Sequence, residues 1–457
     1  MMEVEVGRHT VLLARTDGKY SAIGNQCTHY GAPLSKVISG HRVRCPWHGS
    51  CFNVQTGDME EFPGIDSLPC HKVNIQNSKV YVSVNKKAAS LMCAEILRQQ
   101  NFGGRIIMVT RDDLLPYDKT RLSKVMNVES ETILLRRREF FHQYDIEVWL
   151  KKEALSVDTD RKTVTFNDGS TQSYDQLLVS TGCAKGLDVP GMKLDNVMML
   201  ETPEDARHIH AACLGSNVVL VGTSFVMEVA SYLIDKASRI TVIGSSELPY
   251  QNTLGREIGR VTLMMLSEKD VKFYMNDSVI EVKGVKEVVL KSGTVIPTDV
   301  LIVGIGSIPN SEFLQGSKIQ MNAKNFVIVD KGMRTNVPDV YSGGDLVTFP
   351  LAMANNQLVN IGHWQMAQAH RVVALNMLKK PSELTSVPFY WTVLLGKTIR
   401  YTYGEGYTDI VIKGSFEERK FLANDGVIAA AGLNYDPVVS AVAERLAAGK
   451  VITKKEA

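Results

Sequence analysis

Two short segments near the amino terminus each bring a cysteine and a histidine together. Cys27 and His29 form a Cys-x-His pair, and Cys45 and His48 form a Cys-x-x-His pair after fifteen intervening residues. Thiolate sulfur and neutral imidazole nitrogen are ligands for metal ions and for iron–sulfur clusters. Because each segment supplies one ligand of each kind, the spacing indicates a centre with two thiolates and two imidazoles.

Two kinds of centre take such a ligand set. A two-iron, two-sulfur cluster with two cysteines on one iron and two histidines on the other needs one ligand of each kind from each of two loops. A Cys2His2 zinc site is the alternative, but zinc sites usually pair cysteine with cysteine and histidine with histidine along the chain. The alternating order here therefore favours iron and sulfur.

The segments CTHYGAPL and RCPWHGSCFNVQTGDME resemble the Rieske family. The resemblance implies four ligands to a Rieske 2Fe-2S cluster: Cys27, His29, Cys45 and His48. High-potential respiratory members add a disulfide between the two loops, and Ala32 and Trp47 stand at those positions here. The resemblance therefore implies a lower-potential, ferredoxin-like cluster. We expect the neighbouring Cys51 and Cys70 to be buried thiols.

Two patterns of secondary structure follow each other along the chain. Within residues 1–85, the runs HTVLLAR, YSAIG, HRVRCPW and KVYVSV read as short strands separated by turns, which predicts an all-β module around the ligands. After residue 85, strands alternate with helices, which predicts parallel sheets with crossover helices. The fold class is therefore multidomain, with the all-β module followed by two Rossmann-like α/β domains and a small α+β domain.

One α/β unit has the order of elements that binds a dinucleotide. The strand NVVLVG, a turn, a helix and the strand RITVIG follow one another from Asn217, and a return strand begins at Thr298. A glycine turn before a helix lets backbone N–H groups meet a pyrophosphate. The candidate NAD(P)-binding residues are Gly222, Ser224, Glu228, Gly304 and Gly306. Only the first glycine of the fingerprint remains, and the third is missing beside Met227, which puts close helix-to-strand packing in question.

Four further segments resemble those of flavoproteins with two dinucleotide-binding domains: PYDKTRLSK, SYDQLLVSTG, TNVPDVYSGGD and NIGHWQMAQAH. The resemblance implies that they surround FAD, with an aspartate facing the ribityl chain. The candidate FAD-binding residues are Lys124, Thr181, Gly182, Gly344, Asp345 and Trp364. Each residue taken singly also has a structural explanation. Lys124 could be a solvated lysine, Thr181-Gly182 could be a simple turn, and Trp364 could fill a gap in the core.

Over nearly its whole length, the chain resembles the apoptosis-inducing-factor-like Rieske flavoproteins, through CAEILRQQNF, VNIGHWQMAQ, PFYWT and GLNYDPVVS as well as the segments above. The resemblance implies NAD(P)H oxidation by FAD, with electrons passed onward to an acceptor that the sequence does not identify. A nicotinamide delivers two electrons as hydride and a 2Fe-2S cluster accepts one, so a flavin is the natural intermediary. A disulfide reductase would need a cysteine pair where Cys93 stands alone.

The resemblance also implies domain boundaries. They are 1–85 for the Rieske domain, 86–201 with 311–384 for the FAD-binding domain, 202–310 for the NAD(P)-binding domain and 385–457 for a carboxyl-terminal interface domain.

The first FAD-binding unit departs from the family. YVSV of the Rieske module runs through Asn85 almost directly into the helix that starts near Ala88, so the first strand and its glycine loop are missing. That turn normally binds the FAD pyrophosphate. Hardly any linker remains to let the Rieske domain swing. Near Asn424, a carboxyl-terminal hairpin is shortened.

The nicotinamide cofactor is expected to be NADH rather than NADPH. An acid at the end of the second strand normally binds the ribose of NAD, and a basic residue suits NADP. Gly244, Ser245 and Ser246 offer neither. The absence of an arginine cluster at this position favours NADH.

Composition excludes several classes of protein. With 457 residues there is room for about three domains of roughly 150 residues. A formal net charge of +2 without long charge runs argues against nucleic-acid binding, and no apolar run is long enough for a transmembrane span. Seven scattered cysteines favour a reducing compartment. No targeting segment is visible, so we expect an intracellular protein, cytoplasmic or by resemblance mitochondrial; the sequence does not set its oligomeric state.

Two functional hypotheses follow. The first is an FAD-dependent NAD(P)H oxidoreductase that sends electrons to the Rieske cluster and, by resemblance, is linked to apoptosis. The second is a flavin-deficient variant that keeps the cluster and acts through protein interactions without reductase activity, and the missing glycine loop is its support.

Overall fold

The computed structural model describes residues 1–457 except 7–8, 62, 65, 77–78, 84–91, 185, 285, 307, 352–355, 361–365, 386, 403–410, 414–419, 423–428, 435, 451 and 453–457. Its amino-terminal strands are β1 (Met2–Val6), β2 (His9–Thr16), β3 (Lys19–Gly24), β4 (Ile38–Ser39), β5 (Arg42–Arg44), β6 (Cys51–Asn53), β7 (Met59–Glu61), β8 (Cys70–Gln76) and β9 (Lys79–Ser83). They form two antiparallel sheets in the orders β1-β2-β3-β8-β9 and β4-β5-β6-β7. The all-β prediction for this module is confirmed.

The two ligand loops join β3 to β4 and β5 to β6. Each loop turns on a glycine in the left-handed region, Gly31 with φ +75° and Gly49 with φ +82°. Their N–H groups donate to the carbonyls of Cys27 at 2.8 Å and Cys45 at 3.1 Å. Glycine adopts this conformation without steric strain, so each glycine closes its loop tightly over the cysteine.

The next part of the chain contains α1 (Met92–Gln99), β10 (Ile106–Val109), α2 (Arg138–Gln143), β11 (Ile146–Trp149), β12 (Ala154–Asp158), β13 (Thr163–Phe166), β14 (Thr171–Ser173), β15 (Leu177–Val179), β16 (Cys183–Ala184) and β17 (Val197–Met198), with 3-10 helices at Lys119–Arg121 and Ser130–Ile133. β10 and β11 pair in parallel, and β15 pairs in parallel with β27 (Val340–Ser342). Among the described residues these remain two separate two-stranded sheets. A dinucleotide-binding unit usually has its first strand at the centre of one continuous sheet. The split agrees with the predicted loss of that strand.

The following part consists of α3 (Pro203–Cys213), β18 (Asn217–Val221), α4 (Val226–Leu233), β19 (Arg239–Gly244), α5 (Gln251–Ser267), β20 (Lys272–Met275), β21 (Val279–Lys283), β22 (Glu287–Leu290), β23 (Val295–Pro297), β24 (Val300–Val303) and β25 (Ile308–Pro309). Five parallel strands form a sheet in the order β17-β24-β18-β19-β20. These strands read as continuous apolar runs because helices cover the sheet. The predicted strand–helix–strand unit is confirmed.

Close packing of α4 is achieved without the third glycine of the fingerprint. Met227 occupies that region and is fully buried. The space for the start of α4 comes from Gly304, just after the neighbouring strand β24. A β-carbon on Gly304 would overlap Val226 and lie 2.9 Å from the Phe225 ring. A glycine just after β24 thus serves the packing function that the helix glycine usually serves.

The remaining elements are β26 (Val327–Ile328), β27, β28 (Val347–Leu351), β29 (Gln357–Asn360), α6 (Met366–Met377), β30 (Phe389–Leu394), β31 (Lys397–Thr402), β32 (Val411–Lys413), β33 (Lys420–Leu422), β34 (Ala430–Leu433) and α7 (Asp436–Ala447), with a 3-10 helix at Glu312–Leu314. The last five strands form an antiparallel sheet in the order β30-β31-β34-β33-β32. This confirms the predicted strands and helix of the carboxyl-terminal part. The shortened hairpin near Asn424 lies outside the described residues.

The largest apolar core joins segments that are far apart in sequence. Leu122 and Met126, buried residues around the β18 sheet such as Leu220, and Leu394 and Ile399 of the carboxyl-terminal sheet belong to one cluster. The burial of these side chains fixes the parallel sheet against the carboxyl-terminal strands. No helix among the described residues combines the length and the apolar character that crossing a bilayer requires.

Candidate functional site

The four predicted cluster ligands lie together. The Nδ1 atoms of His29 and His48 are 3.0 Å apart, and the two rings meet edge to face with centroids 4.6 Å apart. The thiols of Cys27 and Cys45 lie close enough to shift each other's pKa in opposite directions. Both cysteines are buried and both histidines are half-buried. The structure therefore places a thiol pair and an imidazole pair beside each other, as the spacing predicts.

The environment of these ligands favours the protonation states that bind iron. Burial lowers the pKa of His29 to about 4 and that of His48 to about 2, so both imidazoles are neutral at physiological pH. The neighbouring Cys45 thiol lowers the pKa of Cys27 and makes it the first of the pair to ionise. Thiolate and neutral imidazole are the ligand states that a Rieske cluster needs.

The paired arrangement fits a two-iron cluster. A 2Fe-2S cluster takes its two thiolates on one iron and its two imidazoles on the other, which matches a thiol pair beside an imidazole pair. Zinc instead takes its four ligands around one point. The paired geometry therefore favours the cluster, as the order of the ligands in the sequence does.

The two other cysteines of this module differ from each other. Cys51 is buried, as predicted, and accepts a hydrogen bond from Arg42 at 3.2 Å. Cys70 is exposed, so the prediction of a buried thiol at this position is wrong. It begins the strand β8, and its thiol hydrogen-bonds to the backbone carbonyl of Gln55 at 3.3 Å.

A buried ion-pair network docks the cluster module on the carboxyl-terminal domain. Arg44 is fully buried and donates to Glu444 of α7 at 2.5 Å, to Glu61 at 2.6 Å and to the Gly49 carbonyl at 2.8 Å. Nearby, Arg400 donates to the Trp47 carbonyl. A buried charge that loses its partner costs several kcal/mol, so these contacts oppose separation of the two domains.

Trp391 of β30 stands against both histidines. Its ring centroid is 5.9 Å from that of His29 and 5.2 Å from that of His48. The sequence interpretation drew attention to the segment PFYWT but not to this residue. Trp391 and His29 also line one large cavity of about 1300 Å³, together with Lys124, Cys183 and Asp345. The cluster end of the module therefore faces this cavity.

The cavity carries an unpaired polar atom that fits a flavin. The Oδ1 atom of Asp345 is buried and has no hydrogen-bond partner in the described residues. The backbone carbonyl of Asp345 accepts bonds from Cys183 at 3.2 Å and Asn360 at 2.7 Å. A buried carboxylate oxygen without a donor is costly, and the hydroxyls of a ribityl chain are donors of the required kind. Asp345, which follows Gly344 at the end of β27, thus fits the position that the sequence predicts for it.

Lys124 and Glu228 meet where three parts of the chain join. Lys124 donates to Glu228 at 2.9 Å and to the Thr120 carbonyl at 3.0 Å. Glu228 also accepts bonds from Ser123, from Thr392 at 2.8 Å and from the Val393 N–H at 3.3 Å. Both residues line the cavity, but the carboxylate predicted for NAD(P) binding is saturated by protein donors. Glu228 therefore links three parts of the chain through buried hydrogen bonds.

The other predicted FAD residues are not all at the cavity wall. Thr181 donates to the Asn310 carbonyl at 2.6 Å, and the Gly182 carbonyl accepts from the Asn310 N–H at 2.9 Å. These two hydrogen bonds link the segment after β15 to the segment after β25, where the chain passes between the two dinucleotide-binding parts. The neighbours Ser180 and Cys183 line the cavity. Trp364 lies outside the described residues.

The predicted NAD(P) glycines mark the carboxyl edge of the parallel sheet. The N–H of Gly222 donates to the Ile243 carbonyl at 2.9 Å and continues the pairing with β19, and its φ of +123° then turns the chain toward α4. Gly304 and Gly306 follow β24 at the same edge, and a β-carbon on Gly306 would lie 2.8 Å from the Gly186 carbonyl. Ser224 lines the cavity. In open parallel sheets, ligands bind at this edge.

The chain matches two family models. Residues 1–72 match the Rieske [2Fe-2S] domain, and residues 88–370 match the pyridine nucleotide-disulphide oxidoreductase family. It is 45% identical to apoptosis-inducing factor 3 of Homo sapiens over 502 positions, which cover 100% of this chain and 83% of the human protein. Since the chain has 457 residues, the aligned part of the human protein contains at least 45 residues that this chain lacks.

Two further similarities concern the reductase part. Rubredoxin-NAD(+) reductase of Pseudomonas putida is 30% identical, with 70% of this chain and 85% of that protein aligned. The crystal structure of the covalent putidaredoxin reductase–putidaredoxin complex shares the fold, with a TM-score of 0.73 at 22% identity over 77% of this chain and 89% of that chain. These findings confirm the predicted fold class and the predicted cofactors, a 2Fe-2S cluster, FAD and NAD(P)H. The chain belongs to the pyridine nucleotide-disulphide oxidoreductase family as an NAD(P)H-dependent flavoprotein with an amino-terminal Rieske domain.

Proposed function

We propose that the chain oxidises NAD(P)H with bound FAD and passes the electrons to its own Rieske cluster. The observation that carries this proposal is the shared cavity. The cluster ligand His29 and its neighbour Trp391 line the same cavity as Lys124 and Asp345. When bound, FAD takes two electrons from a nicotinamide as hydride and gives them up singly to a one-electron centre.

Each cavity residue has a defined role in this proposal. Asp345 accepts hydrogen bonds from the ribityl chain through its unpaired Oδ1 atom. The Lys124 ammonium has three donors and uses two of them on Glu228 and Thr120, which leaves one for a ligand in the cavity. Trp391 lines the cavity beside His29 and packs its ring against both imidazoles.

The direct test is an anaerobic stopped-flow experiment on the purified chain reconstituted with iron, sulfide and FAD. On mixing with NADH or NADPH, we expect the flavin absorbance to bleach first and the visible bands of the Rieske cluster to change afterwards at a matching yield. Flavin bleaching without any reduction of the cluster would contradict the proposed path.

The role of Trp391 is tested in the same experiment. Trp391→Leu should slow reduction of the cluster by about tenfold or more, equivalent to about 1.4 kcal/mol of barrier, while leaving flavin reduction by the nicotinamide unchanged. The matched control is Trp149→Leu, which removes another half-buried tryptophan that packs on Phe166 instead of the cluster. Equal effects on both electron transfers, or equal effects of both variants, would rule out a specific role.

A second candidate function is supported by the split sheet. The edges of β10 and β15 both line the cavity, and the described residues contain no strand between them. We propose as the alternative that the chain keeps its cluster without holding flavin and acts through protein contacts. A purified chain with the Rieske spectrum and no flavin after reconstitution would favour this alternative.

We also propose a role in cell death. Its support is the name of the human relative, apoptosis-inducing factor 3, to which the whole chain aligns. A mitochondrial location stays a prediction from the family resemblance. The electron acceptor beyond the cluster is proposed to be a protein carrier, because the 30% identical rubredoxin-NAD(+) reductase of Pseudomonas putida is named for such a carrier.

A further inference from the structure

The edge of the nucleotide site next to β19 has an unusual shape. In this fold, the residue that ends the second strand lies beside the adenosine ribose of the nicotinamide nucleotide, and an acid there selects NAD over NADP. The corresponding strand β19 ends at Gly244. A β-carbon at this position would overlap the methyl group of Thr223 and lie 2.9 Å from Cε of Met275. The Thr223 and Met275 side chains therefore occupy the space beside this position, and the glycine leaves the strand end without an acid.

The residues after Gly244 are held by backbone contacts. The Gly244 carbonyl accepts from the Asp277 N–H at 3.0 Å, and the Ser246 carbonyl accepts from the Asn276 N–H at 3.0 Å. Ser245 stands between them and is exposed. Residues 244–246 thus form a small, neutral rim in place of the acidic strand end that NAD-selective sites use.

Positive charge reaches this rim from α5. Arg256 lies one residue after the kink at Gly255 and donates through both terminal nitrogens to Glu247, at 2.6 Å each. About half of each side chain is exposed. Arg260, one turn further along α5, is also exposed and close enough to help lower the pKa of Glu247. An exposed ion pair contributes little stability, so Arg256 can exchange the carboxylate for another anion at small cost.

We propose that this rim accepts the 2′-phosphate of NADPH, with Arg256 as the residue that binds it. A guanidinium forms two parallel hydrogen bonds to phosphate as it does to carboxylate, so the phosphate would take the place of the Glu247 carboxylate on Arg256. The expectation of NADH came from the absence of arginine in residues 244–246. The fold supplies the arginine from a helix that begins at Gln251, which strand-end spacing does not reveal. The inference rests on the proposed function, since it concerns the nicotinamide site of that reaction.

Equilibrium binding tests this inference without the redox reaction. Isothermal titration of the reconstituted chain with NADP⁺ and with NAD⁺ should give an affinity for NADP⁺ at least equal to that for NAD⁺. Arg256→Gln should weaken NADP⁺ binding by about tenfold and leave NAD⁺ binding unchanged, because it removes one charged, bidentate contact. Glu247→Gln should strengthen NADP⁺ binding, since it frees the guanidinium and removes a nearby negative charge. Arg161→Gln, at an exposed arginine of the β12–β13 hairpin, is the matched control and should change neither affinity.

The outcomes separate this inference from the proposed function. Binding of NAD⁺ more than tenfold tighter than NADP⁺, or an equal loss of both in Arg256→Gln, would overturn the inference and leave the electron path intact. Binding of NADP⁺ that depends on Arg256, without subsequent reduction of the cluster by NADPH, would support the inference and contradict the electron path. Failure of both nucleotides to bind would overturn both.

Discussion

At the scale of single residues, Glu228 shows how one carboxylate can join three parts of a chain. It is 6% exposed and receives hydrogen bonds from Ser123 and Lys124 on one side and from Thr392 and the Val393 N–H on the other. Its helix, α4, belongs to the parallel sheet. A buried carboxylate is stable only while such donors surround it, and here they come from three parts of the chain.

Replacement of this residue should be costly. Glu228→Ala leaves the Lys124 amine and the Thr392 hydroxyl without their acceptor, so we expect a loss of about 3 kcal/mol in stability. Urea denaturation followed by tryptophan fluorescence measures it. Glu204→Ala removes an exposed glutamate paired with Arg207 and should cost no more than about 0.5 kcal/mol. Equal losses of stability in Glu228→Ala and Glu204→Ala would show that the hydrogen bonds of Glu228 do not stabilise the fold.

At the scale of elements, the cluster module touches the reductase part through two faces. Arg44 of β5 meets Glu444 of α7 on one face, and Asp66 pairs with Arg136 on the other. Arg136 also lies 3.5 Å from Glu95 of α1. These contacts on both faces hold the module against the reductase part, with Trp391 packed on the histidines.

The second face should respond to pH. Burial, assisted by the nearby Asp66 and opposed by Arg136, raises the pKa of Glu95 from 4.5 to about 8. A carboxyl whose pKa is raised on folding binds more protons in the native state, so stability falls as the pH rises from 4.5 to about 8 and then levels off. Glu95→Gln should remove this fall and be more thermostable than the parent chain above pH 8.

Thermal unfolding at pH 5, 7 and 9 measures the effect, with Glu139→Gln on α2 as a control at an exposed glutamate. If the two variants differ from the parent chain by the same amount at every pH, Glu95 is charged in the native state and the reasoning above is wrong.

The cluster ligands could be identified from the sequence because each loop is short and closed by a glycine, so spacing fixes the Cys–His pair within each loop. The strands and helix around Gly222 could be predicted because their apolar runs are local signals. The contacts of Trp391, Glu228 and Arg256 could not, since each joins segments from different elements and sequence periodicity carries no information on such pairs.

At the scale of the whole molecule, two features of the flavin site act in opposite directions. Asp345 and Lys124 line the cavity, and in the proposed function they bind the ring and ribityl part of a flavin. The sheet that usually carries the pyrophosphate loop is split between β10 and β15, and the aligned part of the human relative contains at least 45 more residues. The cavity thus offers more contacts to the ring and ribityl half of FAD than to its adenylate half.

This imbalance predicts a loss of selectivity among flavins. FMN shares the ring and ribityl part with FAD and lacks only the adenylate, so we expect the flavin-free chain to bind the two within about tenfold of each other, or about 1.4 kcal/mol. Quenching of flavin fluorescence on titration gives both dissociation constants. Asp345→Ala should weaken both ligands by the same factor, because it removes a contact to the part that they share. A preference for FAD above a hundredfold would show that the adenylate half has a full set of contacts, which the residues described at the edges of β10 and β15 do not supply.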